Sequence, residues 1–113
     1  MNNNLQKISD FKDKSLLIVD DDNPFRERLA RAMEKKGFLV SQAEGVKNAI
    51  SQIKTKKRDF AVVDLRLNDG NGLEFVKELQ SINPDCKIIM LTGYGNIPTA
   101  VEAIKQGAID YLA

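Results

Sequence analysis

The sequence has no histidine and only one cysteine among its 113 residues. Without histidine the chain cannot build a His-based triad, loses most zinc sites, and carries no phosphohistidine of its own. A lone thiol, Cys86, forms no internal disulfide and fits a reducing compartment, the cytoplasm. No apolar run approaches the roughly 18 residues that a membrane-spanning helix needs. The opening stretch of residues 1–14 is polar and Asn-rich, without the apolar core of a signal peptide. An excess of one charge is missing too: 17 Lys and Arg stand against 16 Asp and Glu, for a net +1. That balance gives no reason to expect a nucleic-acid or membrane surface. Phosphate-cradling motifs are also absent. Gly70-Asn71-Gly72 is not a dinucleotide fingerprint, and no Gly-x-x-x-x-Gly-Lys-Ser/Thr occurs. Asp64 to Glu74 fails as a calcium loop, because Arg66 and Asp69 occupy places that need a ligand and a glycine.

What remains is an ordinary globular balance, 42% apolar and 29% charged, in a chain long enough for one domain. Residues 1–14 read as a solvated leader and residues 15–113 as the domain. Leu16-Leu17-Ile18-Val19 is a continuous apolar run, as in a strand buried on both faces. Pro24 suits a first helical turn, with Asp22 or Asn23 as N-cap. Phe25, Leu29, Ala32 and Met33 then follow at helical spacing until Gly37 ends the helix. The rhythm repeats. Phe38-Leu39-Val40 predicts a second strand, and Val46, Ala49, Ile50 and Ile53 a second helix, closed by the solvated run Lys54 to Arg58. Phe60 to Val63 predicts a third strand stopping at Asp64, followed by a turn over Asn68 to Gly72. Leu73, Val76 and Leu79 predict a third helix ending by Asn83-Pro84. Lys87 to Leu91 predicts a fourth strand, followed by a loop over Thr92 to Asn96. Ile97 to Ile104 predicts a fourth helix, and Ile109 to Leu112 a fifth strand. Such alternation predicts an α/β fold, a doubly wound parallel sheet with right-handed crossovers.

In open α/β sheets ligands gather beyond the carboxyl ends of the strands. Asp20, Asp21 and Asp22 end the first strand and Asp64 ends the third. One aspartate at a strand end is usually a cap or a solvated group. Four of them, with Thr92 ending the fourth strand, predict a cation site. Crowded carboxylates raise one another's pKa unless a cation neutralises them, and a few oxygen ligands suit Mg²⁺. A carboxylate can also act as nucleophile toward a phosphoryl group. Asp64 is placed for that role, Asp20 and Asp21 for the metal, and Thr92 for a hydrogen bond to a phosphoryl oxygen.

Leu16 to Asp22, Val62 to Leu73, Met90-Leu91-Thr92-Gly93 and Gly107-Ala108-Ile109-Asp110-Tyr111 together resemble a response-regulator receiver domain, from about Ser15 to Ala113. The wording Val63-Asp64-Leu65-Arg66-Leu67, with Asp69-Gly70-Asn71-Gly72 and Leu91 to Ile97, is most similar to the RegA/ActR/PrrA redox-responding subgroup. The resemblance implies a flavodoxin-like five-stranded sheet in order 2-1-3-4-5. It implies that Asp64 is the phosphoacceptor, that Asp20 and Asp21 hold Mg²⁺, with Asp21 the more direct ligand, and that the Arg66 backbone carbonyl completes the set. Thr92 becomes the switch hydroxyl and Tyr111 the switch aromatic. The implied partner is a sensor histidine kinase, whose phosphohistidine donates the phosphoryl group.

The family's lysine after the fifth strand would follow Ala113. The chain therefore reads as cut short before that lysine, the fifth helix and a DNA-binding domain, which implies weak phosphorylation and switching. A charge-assisted contact of this kind is worth on the order of 1.5–3 kcal/mol. An uncovered sheet face would favour a homodimer by strand or segment exchange, with no nucleic acid and no membrane bound by this piece. The expected role is a signalling switch of a transcriptional regulator, not a metabolic enzyme. Two alternatives stand beside it. Asp20-Asp21-Asp22 is similar to the Asp-x-Asp of haloacid-dehalogenase-type phosphatases, with Asp20 as nucleophile, and a receiver-like scaffold need not be phosphorylated at all. Cys86 reads as packing and not as a redox sensor.

Overall fold

The computed structural model describes residues 14–67, 69–91 and 108–112, with the backbone alone for Arg66, Asn71 and the last five. In chain order the elements are β1 (Ser15–Val19), α1 (Asn23–Lys35), β2 (Leu39–Ala43), α2 (Val46–Thr55), β3 (Phe60–Asp64), β4 (Arg66–Leu67), β5 (Gly70–Asn71), α3 (Gly72–Ile82), β6 (Lys87–Leu91) and β7 (Ala108–Leu112). Strands β2, β1, β3, β6 and β7 form one parallel sheet in that order. They are the first to fifth strands expected from the sequence, in the expected 2-1-3-4-5 order. The expected leader through residue 13, the loop from Thr92 and the fourth helix lie outside the described residues. Where the sequence suggested only a turn, β4 and β5 pair antiparallel as a small ribbon, Arg66 opposite Asn71 and Leu67 opposite Gly70.

The sheet is anchored by β1. Leu16, Leu17, Ile18 and Val19 are each no more than 2% exposed, because β1 has a strand on either side and helices on both faces. Leu16 and Ile18 pack with Ala30 of α1, against Leu29, Met33 and Phe60. Leu17 and Val19 face the opposite way, into the core formed with Ile53 of α2 and Phe75, Val76 and Leu79 of α3. Burying each such side chain contributes about 1.5–3 kcal/mol. Alternation of side chains across a strand thus makes one apolar run serve two cores.

Helix α1 starts and stops where its sequence indicates. Asp22 is the N-cap, accepting the Phe25 N–H at 3.1 Å, and Pro24 sits in the first turn. At the other end Gly37 takes a φ of 103°, which L side chains resist. Its N–H donates to the Glu34 carbonyl and that of Phe38 to the Met33 carbonyl, a Schellman closure. The inward face differs from the apolar spacing in two places: Ala32 is exposed, whereas Ala30 and Arg26 are buried. Arg26 can be buried because its guanidinium has partners, which a hydropathy pattern does not register. Strand β2 also runs further than Phe38-Leu39-Val40 suggested. It follows all of β1 as an edge strand, with Leu39 65% exposed.

Polar contacts tie the bottom of the sheet. Asp59 accepts the Lys14 and Ser15 N–H groups at 3.1 and 3.0 Å and the Ser15 hydroxyl at 2.7 Å, while its own N–H donates to the Ser15 oxygen at 2.8 Å. This clasp sets the start of β1 against the start of β3. The Ser15 hydroxyl, then its N–H, hold the Asp59 carboxyl below the usual carboxylate range. Arg58 is not a merely solvated helix end: its Nε donates to the Ser41 hydroxyl at 2.9 Å, and its Nη1 to the Lys56 carbonyl. Cys86 is buried, and burial, with the Asp59 charge beside it, pushes its thiol up to about 12. It packs as an inert hydrophobe. At the top, α3 begins on Gly72, whose N–H donates to the Leu65 carbonyl at 3.2 Å. A Cβ added there would stand 2.2 Å from the Asp64 carbonyl oxygen.

Asp59→Ala should cost about 1–2 kcal/mol at pH 7, since it leaves the Lys14 and Ser15 donors without their acceptor. A carboxyl held low in the folded state stabilises above its unfolded pKa, and that contribution is lost as pH falls through the folded value. Urea unfolding of both proteins should therefore show a gap at pH 7 that narrows toward pH 3. Gly72→Ala should destabilise by roughly 1–3 kcal/mol through overpacking against Asp64, read as a lower urea midpoint.

Candidate metal centre

Parallel pairing of β1 with β3 sets Val19 opposite Val63, so the next residues, Asp20 and Asp64, leave the sheet at one level. Asp21 follows in the loop to α1. Carboxylate oxygens of Asp20, Asp21 and Asp64 lie within 4.8 Å of one another. Among the described residues this is the one such gathering of three metal-ligating side chains. Asp20 is 4% exposed, and the other two are half-buried. Asp22 does not join the cluster, being committed as the cap of α1.

Backbone and side-chain contacts hold Asp20 on every side. Its N–H donates to the Ala43 carbonyl at 3.1 Å, and its Oδ1 accepts the Asp22 N–H at 2.9 Å. Its carbonyl accepts Nη1 of the buried Arg26 at 2.8 Å; the same Nη1 reaches Asn23 Oδ1 at 2.7 Å, and Nε reaches Gln42 Oε1 at 2.9 Å. The guanidinium thus pins the main chain at the end of β1. Burial above all, against the lowering by the Asp22 N–H and with the Asp64 and Asp21 charges beside it, raises the Asp20 carboxyl to about 6.

Such crowding is the arrangement that a bound cation would neutralise. Three carboxylates within reach of one ion, and no sulfur or nitrogen donor among them, form a hard-oxygen set fit for Mg²⁺ or Ca²⁺. Arg66 stands two residues beyond Asp64, its backbone paired with Asn71 in the β4–β5 ribbon. Leu91 is the register partner of Asp64 and directly precedes Thr92, which lies outside the described residues. Tyr111 has its backbone in β7 beside Met90 of β6, and its side chain lies outside the described residues. Two polar contacts escape sequence reasoning. Arg26 had a weak signal, a cation on an otherwise apolar helix face. Asp69, whose carboxylate accepts the N–H groups of Val46 and Lys47, had none.

Residues 16–113 match the family model described as the response regulator receiver domain. The chain is 56% identical over 101 residues to the acid tolerance regulatory protein ActR of Rhizobium meliloti, covering 89% of this chain and 52% of that protein. It is 54% identical to the photosynthetic apparatus regulatory protein RegA of Cereibacter sphaeroides, covering 89% and 55%. The chain thus spans about half the length of these relatives. Among solved structures it superposes with a TM-score of 0.86, at 42% identity, on a Burkholderia pseudomallei response regulator that carries a phosphorylated aspartic acid, a calcium ion and citrate; the match covers 89% of this chain and 59% of that one. A CheY-like receiver domain from Methanospirillum hungatei superposes at 0.85, with 29% identity, covering 89% and 81%. With its sheet order and an acidic cluster at the strand ends, this chain belongs to the response regulator receiver domain family, alongside ActR and RegA.

Proposed function

We propose that the domain takes a phosphoryl group onto Asp64 from the phosphohistidine of a sensor histidine kinase, with Asp20, Asp21, Asp64 and the Arg66 carbonyl as ligands of Mg²⁺. The observation that carries this reading is the gathering of three carboxylates at the tips of two neighbouring strands. A Burkholderia relative with a phosphorylated aspartic acid supports it. An Asp64 oxygen bonds to phosphorus while the phosphorus–nitrogen bond of the donor breaks, and the imidazole nitrogen keeps the electron pair and takes a proton. A divalent cation held by these residues would neutralise charge on the phosphoryl oxygens. Thr92 donates a hydrogen bond to one of those oxygens, and Tyr111 follows the movement of Thr92.

Asp20 suits the ligand role better than the nucleophilic one. It is buried, and its Oδ1 already accepts the Asp22 N–H, whereas Asp64 is half-open. This weighs against the phosphatase alternative. Residues 15–113 form the receiver unit in this reading, preceded by the polar leader. Self-phosphorylation and slow hydrolysis of the acyl phosphate are its own chemistry. The longer protein would be a cytoplasmic transcriptional regulator that binds DNA through a separate domain, and the receiver would form homodimers. Among the described residues, no helix is long and apolar enough to cross a membrane.

Incubation with a small phosphoramidate donor and Mg²⁺ should add one phosphoryl group, located to Asp64 by peptide mass mapping. Asp64→Asn should abolish it, and Asp20→Asn should weaken Mg²⁺ binding by at least about tenfold. Labelling on Asp20 would favour the phosphatase reading, and no labelling at all the scaffold reading.

The raised Asp20 carboxyl also sets a pH dependence. Folded, it holds a proton that the unfolded chain has already released between about pH 4 and its folded value of about 6. Stability of the ion-free protein should therefore fall across that window, by on the order of 2–3 kcal/mol from this group. Thermal melts in a chelator should show the slope, and Asp20→Asn should flatten it. Mg²⁺ should raise the midpoint more at pH 7.5 than at pH 5.

A further inference from the structure

Helix α2 lacks a capping side chain of its own, because its N-cap is Gly45. The cap comes instead from the β4–β5 turn: Asp69 accepts the Val46 N–H at 2.8 Å and the Lys47 N–H at 3.1 Å. Two glycines make room for this contact. A Cβ on Gly45 would stand 2.5 Å from Asp69 Oδ1, and one on Gly70 would stand 3.0 Å from Val46 Cγ2. With a φ of −166°, Gly45 has a backbone that any residue adopts, so space for the carboxylate, and not torsion, explains the glycine. The two N–H groups also hold the Asp69 carboxyl below the usual range.

The contact adds a second link between the segments that follow β1 and β3. From Asp64 the chain passes through Leu65 to Arg66 and Leu67, which are held in the ribbon with Asn71 and Gly70. Asp69 fastens that ribbon to the start of α2. Helix α2 follows β2, and Ala43 at the end of β2 accepts the Asp20 N–H. The two strand tips carrying the acids are therefore linked by their sheet pairing on one side and through Asp69 on the other. A cavity of about 690 Å³ opens here, lined by Asp21, Glu44, Lys47 and Asp69 among others.

We propose that Asp69 is a positioning residue of the acidic site, holding the β4–β5 ribbon, and with it the Arg66 backbone, in place for the divalent ion. This rests on the function proposed above. Without the Asp69 contact, the ribbon must be ordered at each binding event, and ion affinity falls.

Calorimetric titration of the full chain with MgCl₂ tests this, alongside thermal melts of each variant. Asp69→Ala should weaken Mg²⁺ binding about fivefold, the loss of one ordinary helix cap transferred to the binding step. Asp69→Asn keeps one of the two acceptor oxygens and sets an NH2 against the other N–H, so its affinity should fall between wild type and Asp69→Ala. Gly45→Ala displaces the carboxylate, so it should match Asp69→Ala, and the double variant should be no weaker than either single one. Wild-type affinity in Asp69→Ala, with only the melting midpoint lowered, would overturn the proposal. Additive losses in the double variant would also overturn it. Should Asp69→Ala fail to fold, wild-type affinity in folded Gly45→Ala would be equally decisive. Loss of binding in Asp64→Asn reads the site itself. A wild-type chain that binds no Mg²⁺ overturns both this proposal and the proposed function, whereas a wild-type chain that binds and an Asp69→Ala that binds equally well removes this proposal alone.

Discussion

Like charges held together are the constraint on which the domain turns. Three carboxyl groups share the tips of β1 and β3 within 4.8 Å, a cost that folding accepts because the two strands must pair to bury the apolar run Leu16 to Val19. The sheet register does the gathering and the hydrophobic core supplies the free energy. The protein softens the cost locally: the Asp22 N–H donates to Asp20 Oδ1. What is left uncompensated is an attraction for a hard cation.

Around that cluster the backbone is secured by groups that take no part in it chemically. Arg26 grips the Asp20 carbonyl from below, Gly72 lets α3 approach Asp64 closely, and the Asp59 clasp aligns β1 and β3 at their opposite ends. Each is a polar or steric device on an otherwise apolar scaffold. The two cores, one on each face of the sheet, make the frame stiff enough for such devices to act over single ångströms.

Much of this was legible in the residues. The apolar runs and their spacing gave the five principal strands and the first three helices, and aspartates at two run ends pointed to a shared site. Asp22, Pro24 and Gly37 marked the limits of α1 through chemistry confined to neighbours in sequence. Contacts between distant residues were not legible. The inward turn of Arg26 depends on Gln42, 16 residues on, and the capping of α2 by Asp69 joins loops 23 residues apart. Ala32 and Ala30 exchanged places because one small side chain looks much like another to a periodicity. The β4–β5 ribbon was hidden in a stretch whose composition signalled only a turn.

Parallel pairing carries a consequence for the order in which the protein comes to life. The acids of β1 are synthesised first, but Asp64 joins them only once β3 has been made and has docked beside β1. A nascent chain with residues 20–22 exposed, but without β3, has no assembled acid trio to offer an ion. The acid trio is therefore a property of long-range closure, present only once β1 and β3 have paired.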